Sequence, residues 1–183
     1  MSLPSILLVL SIVGGYRAID PAHDIANLTL HGFPTYPYDL TKPALNCTHA
    51  LDAIDTPPIR SPQAVHTALT SLFKGKHVVE FGTRNGDGAI CYAQVAKSLV
   101  AIEKQPTYCK VLEGRKDNRQ LTNLKVICER HDRIKLPDAD IYTWWHDISL
   151  YDDKTLKMLR KYKAEGSLRK SAIAVLLSDL TIE

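Results

Sequence analysis

From residue 77 to residue 177 the chain alternates short apolar runs with helical stretches, and this alternation constrains the fold more than any other feature. The apolar runs are His77–Phe81, Leu99–Glu103, Leu124–Cys128, Ala139–Trp145 and Ala172–Leu177. The stretches between them, about 88–97, 107–119 and 152–164, have helical character. Strands that alternate with helices imply βαβ units, in which successive strands run parallel and the helices cover both faces. Strand twist makes the crossovers right-handed. The fold class expected is therefore α/β, a three-layer α/β/α sandwich around a mostly parallel sheet of about five strands. One more helix is predicted ahead of the first strand. Ser61 and Pro62 suit a helix start, Val65, Leu69, Leu72 and Phe73 fall on one face, and Gly75 ends it.

The 183 residues are 45% hydrophobic and 23% charged, which excludes a polytopic membrane protein, a coiled coil, a collagen and a wholly disordered chain. Charge is unevenly spread. Residues 1–60 carry three Lys/Arg against five Asp (net −2), and residues 61–183 carry 20 against 15 acids (net +5), a modest excess that is no nucleic-acid signature. Seven of the 23 basic residues fall between 154 and 170 and read mainly as a solvated helix face. Four cysteines, Cys47, Cys91, Cys109 and Cys128, are too few for a disulfide scaffold, and none sits in the C-x-x-C pair of a zinc site.

Three regions are expected. Residues 1–18 hold an apolar run (LPSILLVLSIV, 3–13) that is too short to span a bilayer but suits a signal peptide or anchor, although no basic residue precedes it. Two sequons, at Asn27 and Asn46, are consistent with export. Residues 19–60 form an irregular arm, because seven of the ten prolines lie between 20 and 62 and proline removes backbone donors. This arm is expected to drape over the domain through Phe33, Tyr36 and Tyr38. Residues 61–183 are the α/β domain.

The loop after the first run reads Glu80-Phe81-Gly82-Thr83-Arg84-Asn85-Gly86-Asp87-Gly88. Glycines there allow positive φ and close approach of a ligand to the backbone. The helix start that follows offers N–H groups suited to a carboxylate or phosphate. Its spacing, G-x-x-x-G-x-G, differs from the G-x-G-x-x-G dinucleotide fingerprint. Glu103 ends the second run 23 residues after Glu80, and a carboxylate can accept from two adjacent hydroxyls.

These residues resemble class I S-adenosylmethionine-dependent methyltransferases, whose first motif is an acid followed by x-G-x-x-x-G-x-G and whose second strand ends in an acid. The run Glu103-Lys104-Gln105-Pro106 is similar to the small-molecule O-methyltransferase branch. The resemblance covers roughly residues 75–180 and implies a Rossmann-like fold and S-adenosyl-L-methionine as cofactor. It implies cofactor contacts at Glu80, Gly82, Thr83, Arg84, Asn85, Gly86, Gly88, Glu103 and Lys104. Adenine contacts would come from the Arg130–His131–Asp132 loop, with Asp132 as acceptor. Trp144 and Trp145 would face substrate, His146 would be the base, and Asp147 would orient it or bind a metal. Asp179 matches one acid of the metal-dependent branch, but Leu180 replaces the amide ligand, so no metal is expected. The family's last two strands have no counterpart before Glu183, which leaves the run 172–180 at an edge; either the sequence is a fragment, or the arm or a second copy would cover that edge. The substrate would be a small molecule or a protein. The alternative is a non-catalytic, truncated or decayed binding module that keeps the fold.

Overall fold

A computed structural model of the chain describes residues 9–12, 42–47, 53–55, 63–146 and 154–178. The elements, in chain order, are β1 (Val9–Ile12), α1 (Gln63–Phe73), β2 (His77–Phe81), α2 (Asp87–Ala93), β3 (Ser98–Glu103), α3 (Pro106–Asn118), β4 (Leu124–Cys128), a 3₁₀ turn (His131–Arg133), β5 (Ile141–His146), α4 (Lys154–Ala164) and β6 (Ile173–Ser178). Five strands fall on the five apolar runs, within two residues at either end. Pro106 starts α3, where its missing N–H costs nothing. Helix α2 stops at Ala93, four residues before its expected end, because tight turns (Gln94 N to Cys91 O, Val95 N to Tyr92 O) swing the chain into β3.

The strands form one parallel six-stranded sheet in the order β1-β6-β5-β2-β3-β4. A sixth strand joins the five that the sequence predicts. It comes from the N-terminal apolar run, whose Val9 to Ile12 pair with Ala174 to Leu177 of β6. The edge that the sequence leaves open at β6 is therefore taken by β1, not by the arm or a second copy.

Side chains alternate between the two faces, as strand pleating requires. One cluster holds Val78, Leu99, Ala101 and Ile141 against α1 and α2 through Leu69, Phe73, Ile90 and Tyr92. The other holds Val79, Phe81, Ile102, Tyr142 and Trp144 against α4 through Leu156 and Leu159. Arg169 ties the start of this sheet region to Asp138 and Asp140.

The described parts of the arm dock on α1. Thr70 Oγ1 accepts from the N–H groups of Ala44 (3.0 Å) and Leu45 (3.2 Å), and Thr67 Oγ1 accepts from Cys47 N (2.9 Å). Phe33, Tyr36 and Tyr38 lie outside the described residues. All four cysteines pair, as two bridges added to a fold that its apolar core already defines. Cys47 bridges Cys91 of α2, and Cys109 of α3 bridges Cys128 of β4, with Cα separations of 5.6 and 5.8 Å. The partners lie 44 and 19 residues apart in sequence, so only the fold brings them within bridging range. Among the described residues, no helix is long and apolar enough to cross a membrane.

Candidate functional site

Strand β2 has β3 on one side and β5 on the other, so the chain order reverses at β2. In parallel α/β sheets a ligand crevice opens beyond the carboxyl ends of the strands at such a point. Three sequence-predicted features meet here: the glycine turn after β2, Glu103 at the end of β3 and His146 at the end of β5.

Glu103 is 4% exposed, and the backbone holds it from two sides. Arg84 N donates to Oε2 at 2.9 Å and Gln105 N donates to Oε1 at 2.8 Å. Each oxygen keeps a further lone pair for a ligand hydroxyl. Beside it, Gly82 takes φ +66°, and a Cβ built there would meet nothing within 4 Å, so open space faces this turn. Arg84 is itself at φ +52°, a strained setting for a non-glycine residue that the Glu103 bond helps to hold. Its guanidinium lies 5.8 Å over the Tyr108 ring, and its Nη1 is buried without a hydrogen-bond partner. Thr83 Oγ1 is also buried and unpaired.

Gly86 and Gly88 serve packing. A Cβ on Gly86, at φ +88°, would collide with Leu112 Cδ1. One on Gly88 would lie 2.6 Å from Glu80 Oε1 and 2.9 Å from His66 Cε1. Glu80 thus points behind α2, into the α1 side of the core, and not toward the open face of the turn. It is 2% exposed and its Oε2 has no partner. Burial, then the nearby Asp55, Asp87 and Glu103, push its carboxyl up to about 8. His66 lies beside it with Nδ1 2.5 Å from the Tyr92 hydroxyl, and burial lowers its imidazole to about 4. A neutral acid and a neutral imidazole therefore sit together under the glycine turn.

The turn departs from expectation in one respect. The N–H groups at the start of α2 were expected to be open to a ligand, but Asp55 takes the first of them and one in the turn before it. Its Oδ1 accepts from Asn85 N (3.1 Å) and its Oδ2 from Asp87 N (3.2 Å). Gly86 N is used within the turn by Thr83 O (2.9 Å). Asp87 in turn accepts from Ile54 N and Asp55 N, and from Arg115 Nη1 at 2.7 Å.

The remaining predicted residues are dispersed. Lys104 is exposed, at the mouth beside Glu103. Asp132 is engaged by Arg130 through both carboxylate oxygens (2.9 and 2.6 Å), and this pairing holds its carboxyl down at about 2. His131 lies against Phe81, with ring centroids 4.9 Å apart. The two tryptophans do not make one surface. Trp144 is 4% exposed, in the core against Phe81, while Trp145 faces the other side of the sheet, edge-on to His66 at 5.9 Å. Adjacent residues of a strand point to opposite faces, and the pair obeys that rule. His146 closes β5 in register with Ser178. Asp147 and Asp179 lie outside the described residues. Among the described residues, no group of three or more His, Cys, Asp or Glu side chains could hold a metal ion.

Sequence reasoning missed Asp55, His66, Tyr92 and Arg115. Asp55 carries no local signal, because its role depends on an arm folding back across about 30 residues. The apolar spacing of α1 places His66 in the core-facing helix, which was the one available hint.

No family model matches the chain, and no curated protein matches it. Solved structures do. A precorrin-6y methyltransferase from Geobacter metallireducens is 15% identical, with a TM-score of 0.51 over 72% of this chain and 69% of that one. Precorrin 8w decarboxylase from Methanobacterium thermoautotrophicum is 15% identical, with a TM-score of 0.50 over 78% and 71%. The match to Trm5b from Pyrococcus abyssi (17% identical, TM-score 0.49) covers 63% of this chain and only 32% of that one. The chain likewise spans less than two thirds of several other matched chains. At these identities the likeness is one of fold: the chain shares a Rossmann-like α/β fold with these two structures.

Proposed function

We propose that this chain transfers a methyl group from S-adenosylmethionine to an oxygen or nitrogen nucleophile. The observation that carries the reading is Glu103, a carboxylate fixed by two backbone N–H groups at the switch point, beside an open turn at Gly82. The residues present fit this cofactor better than a dinucleotide. A pyrophosphate needs free N–H groups at the turn and helix start, and Asp55 occupies that of Asn85 in the turn and that of Asp87, the first helical residue. The carboxylates of Asp55, Asp87 and Glu103 outnumber the guanidiniums of Arg84 and Arg115 at the turn, a balance that favours a cationic ligand group over phosphate. Two buried polar atoms at this turn, Thr83 Oγ1 and Arg84 Nη1, lack hydrogen-bond partners.

When bound, the cofactor supplies an electrophilic methyl on sulfur. Glu103 would accept from the two ribose hydroxyls with the lone pairs its backbone donors leave. The turn from Gly82 to Gly86 would hold the methionine part, with Lys104 beside Glu103, and Asp132, already paired with Arg130, would serve the adenine. At the end of β5, His146 would take the proton from the nucleophile, with Asp147 to orient it, a task suited to a group that titrates near neutral pH. Catalysis comes mainly from holding nucleophile and methyl in line. Trp145 contributes to the wall of the site and Trp144 supports it from the core. The two disulfides support an oxidising compartment, in line with the sequons.

The test is the melting temperature with S-adenosylmethionine, S-adenosylhomocysteine and NAD in turn. At 100 times the dissociation constant a ligand adds about 2.7 kcal/mol of stability. A rise with the first two that is lost in Glu103→Ala supports the reading; no rise, or a rise with NAD alone, overturns it.

A further inference from the structure

We propose that Asp55 is a positioning residue of the cofactor site, locked over the glycine turn by the Cys47–Cys91 bridge; this rests on the cofactor reading above. The contact is reciprocal. Asp55 accepts from the N–H groups of Asn85 and Asp87, and Asp87 accepts from those of Ile54 and Asp55. The two carboxylates thus exchange backbone donors between arm and turn. Arg115 closes the cluster, donating to Asp87 Oδ1 (2.7 Å) and to Asn85 O (2.8 Å). The Asp55 side chain is 1% exposed, so these bonds are shielded from water and correspondingly strong.

The bridge grips the same short helix one turn further on. Cys91 follows Asp87 by four residues on α2, and Cys47 precedes Asp55 by eight in the arm. Hydrogen bonds from Ala44, Leu45 and Cys47 to Thr70 and Thr67 fix the approach. A tether this short keeps the Asp55 carboxylate at high effective concentration over the turn.

The link to the cofactor runs through the backbone. Arg84, at φ +52°, holds a left-handed conformation that needs support from its surroundings. Asp55 supplies that support at the next two donors, Asn85 and Asp87. Arg84 N, one residue before, is one of the two donors that orient Glu103. Releasing Asp55 lets the turn relax and takes a donor from Glu103. Asp55 touches no reacting atom in this scheme; it acts through the turn.

The experiment compares wild type with Asp55→Asn and with the double variant Cys47→Ala/Cys91→Ala. Amide hydrogen exchange is read without cofactor, and S-adenosylhomocysteine affinity is read by calorimetry. In Asp55→Asn the side-chain amide presents a donor to one of the two N–H groups. The proposal expects both variants to speed exchange at Asn85 and Asp87 at least tenfold, with β3 and β4 unchanged, and to weaken S-adenosylhomocysteine at least tenfold. Unchanged exchange at these two amides overturns it. So does faster exchange with affinity held within twofold, because Asp55 is then merely structural. If the double cysteine variant does not fold, Asp55→Asn carries the test with the bridge intact. Failure of wild type to bind S-adenosylhomocysteine is failure of the cofactor reading itself, and it removes the positioning role with it. Binding in wild type that is equal in both variants overturns the role of Asp55 alone.

Discussion

The ends of β2 and β3 carry the same kind of residue in opposite circumstances. Glu80 and Glu103 are both almost fully buried, at 2% and 4% exposure, on neighbouring parallel strands. Glu103 receives two backbone N–H bonds and borders an open turn. Glu80 points behind α2 at Gly88 and His66, with one oxygen unpaired and its carboxyl held up near 8. Burial alone does not decide what a carboxylate does. What decides is which backbone donors reach it and whether space remains for a ligand. Glu103 is equipped to bind, whereas Glu80 is a neutral prop beneath the turn.

The largest effect expected from this contrast is on affinity. Glu103→Ala should weaken S-adenosylhomocysteine at least a hundredfold, and Glu80→Gln should leave it within about fivefold, both read by calorimetry. Equal losses would erase the distinction between the two ends.

Next in size is the arm's staple. In the chain-entropy account, closing a 44-residue loop is worth about 4 kcal/mol and a 19-residue loop about 3 kcal/mol. Denaturant unfolding of Cys47→Ala/Cys91→Ala should therefore show a loss of that order, slightly more than Cys109→Ala/Cys128→Ala.

Gly88→Ala should cost about 1–3 kcal/mol of stability, because its Cβ would press on both Glu80 and His66. Gly82→Ala meets open space and should cost only about 1 kcal/mol for its positive φ, yet weaken the cofactor more than Gly88→Ala does.

The last effect is on pH dependence, and its sign follows from the two buried groups. Glu80 keeps its proton in the folded state up to about pH 8 but loses it near 4.5 when unfolded, so stability falls as pH rises between those values. His66 stays neutral down to about pH 4 but protonates near 6.5 when unfolded, so stability rises with pH between 4 and 6.5. The two oppose each other below pH 6.5. Above it Glu80 acts alone and costs about 2 kcal/mol by pH 8. Glu80→Gln should abolish that decline, as read from urea midpoints at pH 6.5 and 8; a decline that persists in the variant would place its origin elsewhere.

The sheet and the glycine turn were legible because both are local. Apolar runs of five to seven residues mark β2 to β6, and the spacing of Glu80, Gly82, Gly86, Gly88 and Glu103 marks the switch point. What the sequence left unread was long-range. Strand β1 is an apolar run like any other until it finds β6. The partners of Cys47 and Cys109 are set by the fold, and Asp55 is an unremarkable acid in a proline-rich arm. The splitting of Trp144 from Trp145 was within reach, because neighbours on a strand face opposite ways.

The central claim is that Glu103 receives the ribose of an S-adenosyl ligand. The most direct measurement is the affinity of S-adenosylhomocysteine against its 2′-deoxy analogue, in wild type and in Glu103→Gln. Wild type should prefer the parent at least tenfold, and the variant should bind the two within twofold. The same preference in both proteins would contradict the claim.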